Sequence, residues 1–393
     1  MRIFFSAGEP SGDHHAGQLI TELRRRHSDV ECTGFGGPQM QAAGLDCVFQ
    51  LTDLAVMGVA AVLPLLGKFY RLLQEARTEF RKRRPDAVVL VDFPGFNWWV
   101  AKAAKREGIP VYYYCPPQLW AWGGWRISKV RRYIDCVLSV LPFEADWYRK
   151  RGVDVEFVGH PFFDDVAAHS LHAPTLERLK GEGDKRLALL PGSRKSEVEQ
   201  NFPVMLEMVR KLHQRHPKVR FPVACYREWH LERCQNLAAE ITPELPLDFY
   251  VGKTPEVLAA ADCCLMVSGS VSLELLARRV PAVVLYRGSW LMWVLAQTFM
   301  TCKYISLPNL MAGRELMPEF PFVSGVSGKG RQVIDQLDCW LSNPGELSAA
   351  RQALDELALQ SSKNGGINRA ADVLCQRLGL EVRQQHPTAR RAA

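Results

Sequence analysis

Several short segments of this 393-residue chain combine residue types that could bind and activate a phosphorylated group. Leu189-Leu190-Pro191-Gly192-Ser193-Arg194 joins an apolar run to a glycine, a hydroxyl and a guanidinium. Amides exposed by a glycine turn, with the planar fork of Arg194 beside them, suit a diphosphate. The bland alternative is an ordinary turn with a surface arginine. Pro203 also predicts that the next helix begins only near Asn201, away from the loop. Ser268-Gly269-Ser270-Val271-Ser272-Leu273-Glu274 follows a second apolar run. If Ser270 is the N-cap, a capping-box carboxylate would stand at Leu273. Glu274 is then either a ribose ligand one turn into the helix or a plain solvent-facing glutamate.

Two further loops carry carboxylates. Asp92 follows the apolar run Ala87–Val91 and precedes the turn Phe93-Pro94-Gly95-Phe96-Asn97. A partly desolvated carboxylate at a strand end has its pKa raised toward working pH and can act as a general base. Capping of the turn by Asp92 is the competing reading. Glu9 and Asp13 in Ala7-Gly8-Glu9-Pro10-Ser11-Gly12-Asp13 form a second acidic pair, with Asp13 and Ser11 both eligible as N-cap.

Other chemistries are poorly supported. No Asp-x-Asp pair is present to hold a divalent ion against a nucleotide diphosphate, and the adjacent His14 and His15 should point apart on a helix, so no metal is expected. The first loop spaces its glycines as Gly8, Gly12 and Gly17, not as a dinucleotide fingerprint, and no nucleophile-elbow pattern occurs. Eleven cysteines, an odd number with no C-x-x-C pair, predict a reducing, cytoplasmic setting, and no secretory leader is visible.

These loops need elements to hold them, and short β-rich runs alternate with amphipathic ones along most of the chain. The pattern predicts strands at Arg2–Ala7, Val30–Gly34, Asp86–Asp92, Pro110–Cys115 and Cys136–Leu141, with helices at Asp13–Arg26, Phe69–Arg83, Trp98–Glu107, Lys129–Tyr133 and Phe143–Arg151. A polar stretch from Pro161 to Lys185 reads as a linker. The alternation then restarts at Leu187–Leu190, with a helix expected at Pro203–Gln214, and ends in helices between Gly345 and Leu378. Fully apolar strands alternating with helices argue for two α/β, doubly wound parallel-sheet domains. If they faced each other, the carboxyl ends of both sheets would share a central cleft.

Charge is concentrated. The net charge is +7, but Lys68 to Arg151 holds 17 Lys and Arg against 8 Asp and Glu, a surplus of 17 − 8 = +9. Six of the ten Trp lie in the same segment, and the most apolar stretch, Leu54 to Leu66, precedes it. That stretch is too short for a bilayer span, which needs about 20 residues. A basic, aromatic surface of this kind fits single-stranded RNA or an anionic membrane, or it is an ordinary solvated face.

The motifs together resemble one family, the lipid-A-disaccharide synthases. The resemblance is carried by Ala7 to Asp13, Gly36-Gly37-Pro38-Gln39-Met40, Leu54-Ala55-Val56-Met57-Gly58, Asp92 to Asn97, Pro117-Gln118-Leu119-Trp120-Ala121-Trp122, Leu141-Pro142-Phe143-Glu144 and Gly159-His160-Pro161. In the second half it is carried by Leu189 to Arg194, Ser268 to Glu274 and Ser306 to Glu315. It implies a metal-independent GT-B glycosyltransferase without cofactor, joining UDP-2,3-diacylglucosamine to 2,3-diacylglucosamine 1-phosphate in an inverting β-1,6 linkage. The implied catalytic residues are Asp92 as base, Arg194 at the leaving diphosphate, Asn309 and Glu9. The implied substrate contacts are Ser11, Gly12, Asp13, Gly192, Ser193, Ser268, Gly269, Ser270 and Glu274. Many members carry a second acid where this chain has Gly95, which leaves Asp92 alone in that motif.

The resemblance resolves the basic surface toward the cytoplasmic face of the inner membrane, with Leu63, Leu65, Leu66 and Phe69 meeting lipid and no nucleic acid involved. The domain expectation is 1–165 for acceptor and membrane, 185–345 for the UDP-sugar, 346–380 as helices packing back toward the first domain, and 381–393 as a tail. A homodimer is left open.

Overall fold

In the computed structural model, residues 1–54, 63–181, 185–287, 301–322, 329–361 and 364–380 are described, the side chains of Leu63 and Phe322 apart. The chain divides into two units, Met1–Asp164 with the segment from Asn364 onward, and Asp165–Lys363.

The first unit holds β1 (Arg2–Ala7), α1 (Pro10–Arg26), β2 (Glu31–Gly36), α2 (Pro38–Ala42), β3 (Asp46–Gln50), α3 (Leu66–Arg83) and β4 (Ala87–Val91). It continues with α4 (Pro94–Arg106), β5 (Val111–Tyr114), α5 (Ile127–Tyr133), β6 (Cys136–Ser139), α6 (Pro142–Arg149) and β7 (Val155–Phe157). Its parallel sheet runs β3-β2-β1-β4-β5-β6-β7. The chain leaves β1 toward one edge and returns through β4 to the other, so the order reverses between β1 and β4. Ligands of doubly wound sheets bind at that switch point. All five residues of β4 are buried, as a strand covered by helices on both faces requires. On one face Phe4 meets Phe35 and Phe80 edge-on, with ring centroids 5.3 and 5.0 Å apart.

The second unit repeats the plan. It contains β8 (Lys185–Leu190), α9 (Lys195–Arg215), β9 (Val219–Cys225), α10 (Glu228–Ile241), β10 (Leu247–Val251), α11 (Thr254–Ala260) and β11 (Cys263–Val267). Then come α12 (Val271–Arg278), β12 (Ala282–Arg287), α13 (Leu307–Ala312), β13 (Glu319–Phe322), α14 (Lys329–Ser342) and α15 (Pro344–Ser361). Its parallel sheet runs β10-β9-β8-β11-β12-β13, with the reversal between β8 and β11.

Three sequence expectations are corrected. The stretch Pro161–Lys185 contains two helices, α7 (Pro161–Ala168) and α8 (Ala173–Gly181). The helix expected from Pro203 starts at Lys195 and carries Pro203 inside it, because the Glu197 carboxylate reaches back and accepts the Arg194 amide at its start. The helices of 346–380 do not move as one block. α15 packs on α12, α13 and α14 and stays with the second unit. Only α16 (Gly366–Arg377) joins the first unit, against α1. Arg26 pairs with Asp372, Arg377 meets Asp154 at 2.7 Å, and Asp164 accepts the amides of Gly365 and Ile367 at the start of α16. Gly159 of the Gly159-His160-Pro161 motif lies under this contact: a Cβ there would stand 2.5 Å from Arg369 Nη2. The tail 381–393 lies outside the described residues.

Candidate active site

In each unit the two loops singled out by sequence leave the strands on either side of the order reversal. In the first unit these are the loop after β1, with Glu9, Ser11 and Gly12, and the turn after β4, with Asp92. They touch. A Cβ on Gly8 would overlap the Phe93 ring at 2.4 Å, and one on Gly12 would lie 3.6 Å from Asp92 Cβ. Close approach of the two loops therefore requires glycine at position 8.

Asp92 and Phe93 both have left-handed backbone, with φ of 46° and 47°. Such strain needs support, and Asn97 supplies it. Fully buried, Asn97 donates its amide to the carbonyls of Asp92 (2.7 Å), Ser6 (3.2 Å) and Val91 (3.3 Å), and its Oδ1 accepts the Ser6 hydroxyl at 2.7 Å. Tyr113, on the neighbouring strand, donates to the same Asp92 carbonyl at 2.8 Å. The Asp92 carboxyl is thereby left at the strand end. Burial pushes its pKa up, opposed only in part by the Phe93 amide, which is the property required of a base. A Cβ on Gly95 would meet open space, so the acid common in the family at that position would reach no neighbour through Cβ.

Asp13 does something other than its sequence position suggested. It is 2 % exposed and accepts the amides of Gly37 (2.7 Å), Gln39 (3.0 Å) and Met40 (3.1 Å). It caps α2 rather than its own helix. In the same loop Glu9 is half-buried and Ser11 exposed. His14 and His15 do not diverge: their ring centroids are 5.6 Å apart.

In the second unit the loop Gly192–Arg194 turns at a left-handed Gly192, φ 108°. The amides expected to face a diphosphate are in part already engaged. Glu197 Oε2 accepts from Ser193 N (2.9 Å) and Arg194 N (3.1 Å), and Glu197 Oε1 takes Arg194 Nη1 at 2.9 Å. The Arg194 side chain nonetheless stays 61 % exposed. His230, buried on α10, pairs its Nε2 with the Ser193 carbonyl at 2.9 Å. Across the order reversal, Ser268 is half-buried and Gly269 and Ser270 are exposed at the start of α12. No side-chain hydrogen bond caps that helix. Glu274 is buried and paired with Arg278 at 2.9 Å, and burial raises its pKa against that pairing. The solvent-facing alternative is thereby excluded.

Asn309 is fully buried with its amide saturated. It donates to Met317 O and Glu319 Oε1, both at 2.7 Å, and accepts from Leu316 N (2.7 Å) and Met317 N (2.8 Å). Glu319 also holds the amides of Ile305 and Ser306. Asn309 therefore positions the 305–319 segment, and its amide atoms are spent on the protein itself.

Of the lipid-facing candidates, Leu65 and Phe69 pack partly against the core, with the Phe69 and Phe96 rings 5.5 Å apart. Leu66 is 54 % exposed, and so is its neighbour one turn on, Tyr70, at 63 %. The Leu63 side chain and residues 55–62 lie outside the described residues. No helix among the described residues is long and apolar enough to cross a membrane. Asn97, Tyr113, Glu197 and Glu319 had no assigned role in the sequence reading. Only Asn97 left a signal, a polar amide on the apolar side of its helix.

A profile of the lipid-A-disaccharide synthetase family matches residues 3–336. Lipid-A-disaccharide synthase 1 of Legionella pneumophila is 36 % identical over 81 % of this chain and 83 % of its own length. The lipid-A-disaccharide synthase of Myxococcus xanthus is 34 % identical over 94 % of this chain and 96 % of its own. Among solved structures, a UDP complex of the Staphylococcus aureus protein MnaA aligns with a TM-score of 0.64 at 12 % identity, covering 98 % of both chains. Acinetobacter baumannii MurG aligns at 0.55 and 14 % identity, over 95 % of this chain and 99 % of that one. At these identities the structural likeness speaks for the GT-B fold alone.

Proposed function

Since the chain belongs to the lipid-A-disaccharide synthase family, and so transfers 2,3-diacylglucosamine from UDP to 2,3-diacylglucosamine 1-phosphate, we propose that Asp92 is the base of that transfer. The observation that carries this reading is the desolvated Asp92 carboxyl, on a backbone clamped at its main-chain carbonyl, at the order reversal of the first sheet. In the inverting step the acceptor 6-hydroxyl oxygen bonds to the anomeric carbon, its proton passes to Asp92, and the bond from that carbon to the UDP oxygen breaks with inversion. The charge gathering on the departing diphosphate falls to the second unit. There the exposed Arg194 guanidinium and the start of α12 at Val271 supply positive potential. Glu274 holds the ribose in this reading, and Glu9 and Ser11 contact sugar. No metal or cofactor takes part.

Membrane association also belongs to the proposal. Leu66 and Tyr70 on α3 and Trp99 on α4, with Trp122 and Trp125 before α5, are exposed apolar side chains within or beside the segment of +9 surplus. Lys102 lies over Trp99 and Arg126 over Trp122. Amphipathic rings next to cations suit the headgroup region of an anionic leaflet, which is where both acylated sugars reside. The test of the whole reading is UDP release with both acylated sugars present, compared with each alone. Release that does not require the acceptor would overturn it.

A further inference from the structure

Beyond the Asp92 turn, one buried polar cluster in the first unit has no part in the mechanism above. Glu144, in the first turn of α6, is 1 % exposed. Its Oε1 accepts the indole N–H of Trp120 at 2.9 Å, and its Oε2 lies 2.8 Å from the Ser139 hydroxyl. That hydroxyl is also 3.1 Å from the Leu141 carbonyl. A serine hydroxyl has one proton and cannot serve two acceptors at once. Every contact is satisfied if Glu144 carries a proton: Glu144 Oε2–H donates to Ser139 Oγ, and Ser139 donates to Leu141 O. Burial independently pushes the Glu144 pKa up to about 7, against the hydrogen bonds of Ser139, Trp120 and the Val140 and Leu141 amides.

The cluster fastens one loop. Trp120 lies in the stretch that leaves β5, whose Tyr114 pairs in register with Val91 of β4. The next residues, Asp92 and Cys115, therefore stand side by side, and both are left-handed, with φ of 46° and 48°. Two further ties hold the stretch from the α6 side: Tyr148 donates its hydroxyl to Pro117 O at 3.0 Å, and Phe143 packs edge-on against Trp120 at 4.8 Å. The groups facing Glu144 are otherwise neutral. Burial raises the pKa of Cys115 and of Tyr148; the charges of Asp92 and Glu144 push Cys115 further up against a hydrogen bond with Tyr114, and the charge of Glu144 pushes Tyr148 further up against that of Arg126.

We propose that Glu144 is a positioning residue for the acceptor side of the reaction, pinning the Pro117–Trp122 loop beside Asp92 through the Trp120 indole. The proposal rests on the assignment of the acceptor to the Asp92 loop. Displacing the Pro117–Trp122 loop should then weaken acceptor binding without touching the donor, whose UDP contacts are assigned to the second unit.

Three variants separate this from a merely structural role. Gln reproduces the protonated acid, accepting from Trp120 through Oε1 and donating to Ser139 through its amide. Glu144→Gln should therefore keep the acceptor KM within about twofold of the parent. Glu144→Ala should raise it about tenfold, with the donor KM unchanged. Trp120→Phe removes the indole N–H together with part of the ring system and should raise the acceptor KM about fivefold; it keeps the test alive if Glu144→Ala does not fold. The spectroscopic readout is the ¹⁵N-indole resonance of Trp120, followed by NMR without substrate. It should titrate with a midpoint of about 7 in the parent protein and stay flat in Glu144→Gln. An unchanged acceptor KM in Trp120→Phe, a Glu144→Gln enzyme as weak as the alanine variant, or a Trp120 resonance indifferent to pH would each overturn the proposal. Failure of the acceptor-dependent UDP release in the parent enzyme would instead overturn the underlying assignment and leave the NMR result standing.

Discussion

Tyr113 donates its hydroxyl to the main-chain carbonyl of Asp92 at 2.8 Å, and the Asn97 amide reaches the same oxygen at 2.7 Å. The proposed base is thus held through its backbone, and its carboxyl is spared. Each left-handed non-glycine residue costs about 1–3 kcal/mol, so the clamp offsets strain at Asp92 and Phe93. Tyr113→Phe should cost about 1 kcal/mol of stability and lower kcat while leaving UDP affinity unchanged. Asn97→Ala strands several buried carbonyls and should cost about 2–4 kcal/mol. Denaturant unfolding read beside turnover checks the order of the two effects.

Asp92→Asn separates chemistry from stability. Asn tolerates left-handed backbone and loses only the charge, so turnover should fall by about 10²–10⁴ with the fold retained. Because burial raises the Asp92 pKa, the parent fold loses stability as pH climbs from the ordinary aspartate pKa to the folded one, and the loss is complete above the folded pKa. The variant should therefore match or exceed the parent in melting temperature at neutral pH. The difference should vanish below the ordinary aspartate range, where Asp92 is protonated in both folded and unfolded chains. The acid limb of the parent pH–rate profile should likewise lie above that range. A variant with parental turnover would remove Asp92 as the base.

The strand pattern was legible because buried parallel strands are continuous apolar runs, as at Ala87–Val91 and Cys263–Val267. Helix starts were not. Pro10, Pro94 and Pro142 open their helices from the first helical positions, where a missing N–H costs nothing, upstream of the starts expected at Asp13, Trp98 and Phe143. A helix start at Pro203 leaves the first two turns of α9 unseen. Asp92 was legible as a carboxylate after an apolar strand. The roles of Asp13 and Asn309 were not, because what occupies a side chain depends on partners 24 and 8 residues away in these two cases. Polar residues in a family motif read as ligands, and burial shows these two to be braces.

Arg194 and Glu197 make opposite predictions from one loop. Arg194→Ala removes an exposed cation, so stability should change by less than about 0.5 kcal/mol, while turnover falls by about 10²–10³ if it faces the leaving diphosphate. Glu197→Ala frees the Ser193 and Arg194 amides but removes their acceptor at the start of α9, at about 1 kcal/mol. A chelator should leave parental turnover unchanged. Strong inhibition by a chelator, restored by a divalent ion, would contradict the metal-free assignment.

Asn309→Ala should lose activity together with stability. Three of its four hydrogen bonds are buried and the fourth, to Glu319, is partly so, so about 2–4 kcal/mol is expected from the unsatisfied Met317 carbonyl and Leu316 and Met317 amides. The informative measurement is UDP affinity by calorimetry at a temperature where the variant is folded. A variant of parental stability that has lost only turnover would show that the Asn309 amide reaches the substrate after all.

The membrane surface can be tested with the side chains the structure exposes. Leu65 and Phe69 pack partly into the core, so polar replacements there confuse unfolding with release from lipid. Leu66 and Tyr70 are exposed at 54 % and 63 %, and their loss should leave the melting temperature unchanged. Seating each side chain in the headgroup boundary contributes about 1–2 kcal/mol, so Leu66→Ser with Tyr70→Ser should weaken co-sedimentation with anionic vesicles by about 30- to 1,000-fold. Raising the salt concentration should weaken it further, because the basic surplus from Lys68 to Arg151 acts through a screened potential. Binding unaltered by both changes would remove this face as the membrane contact.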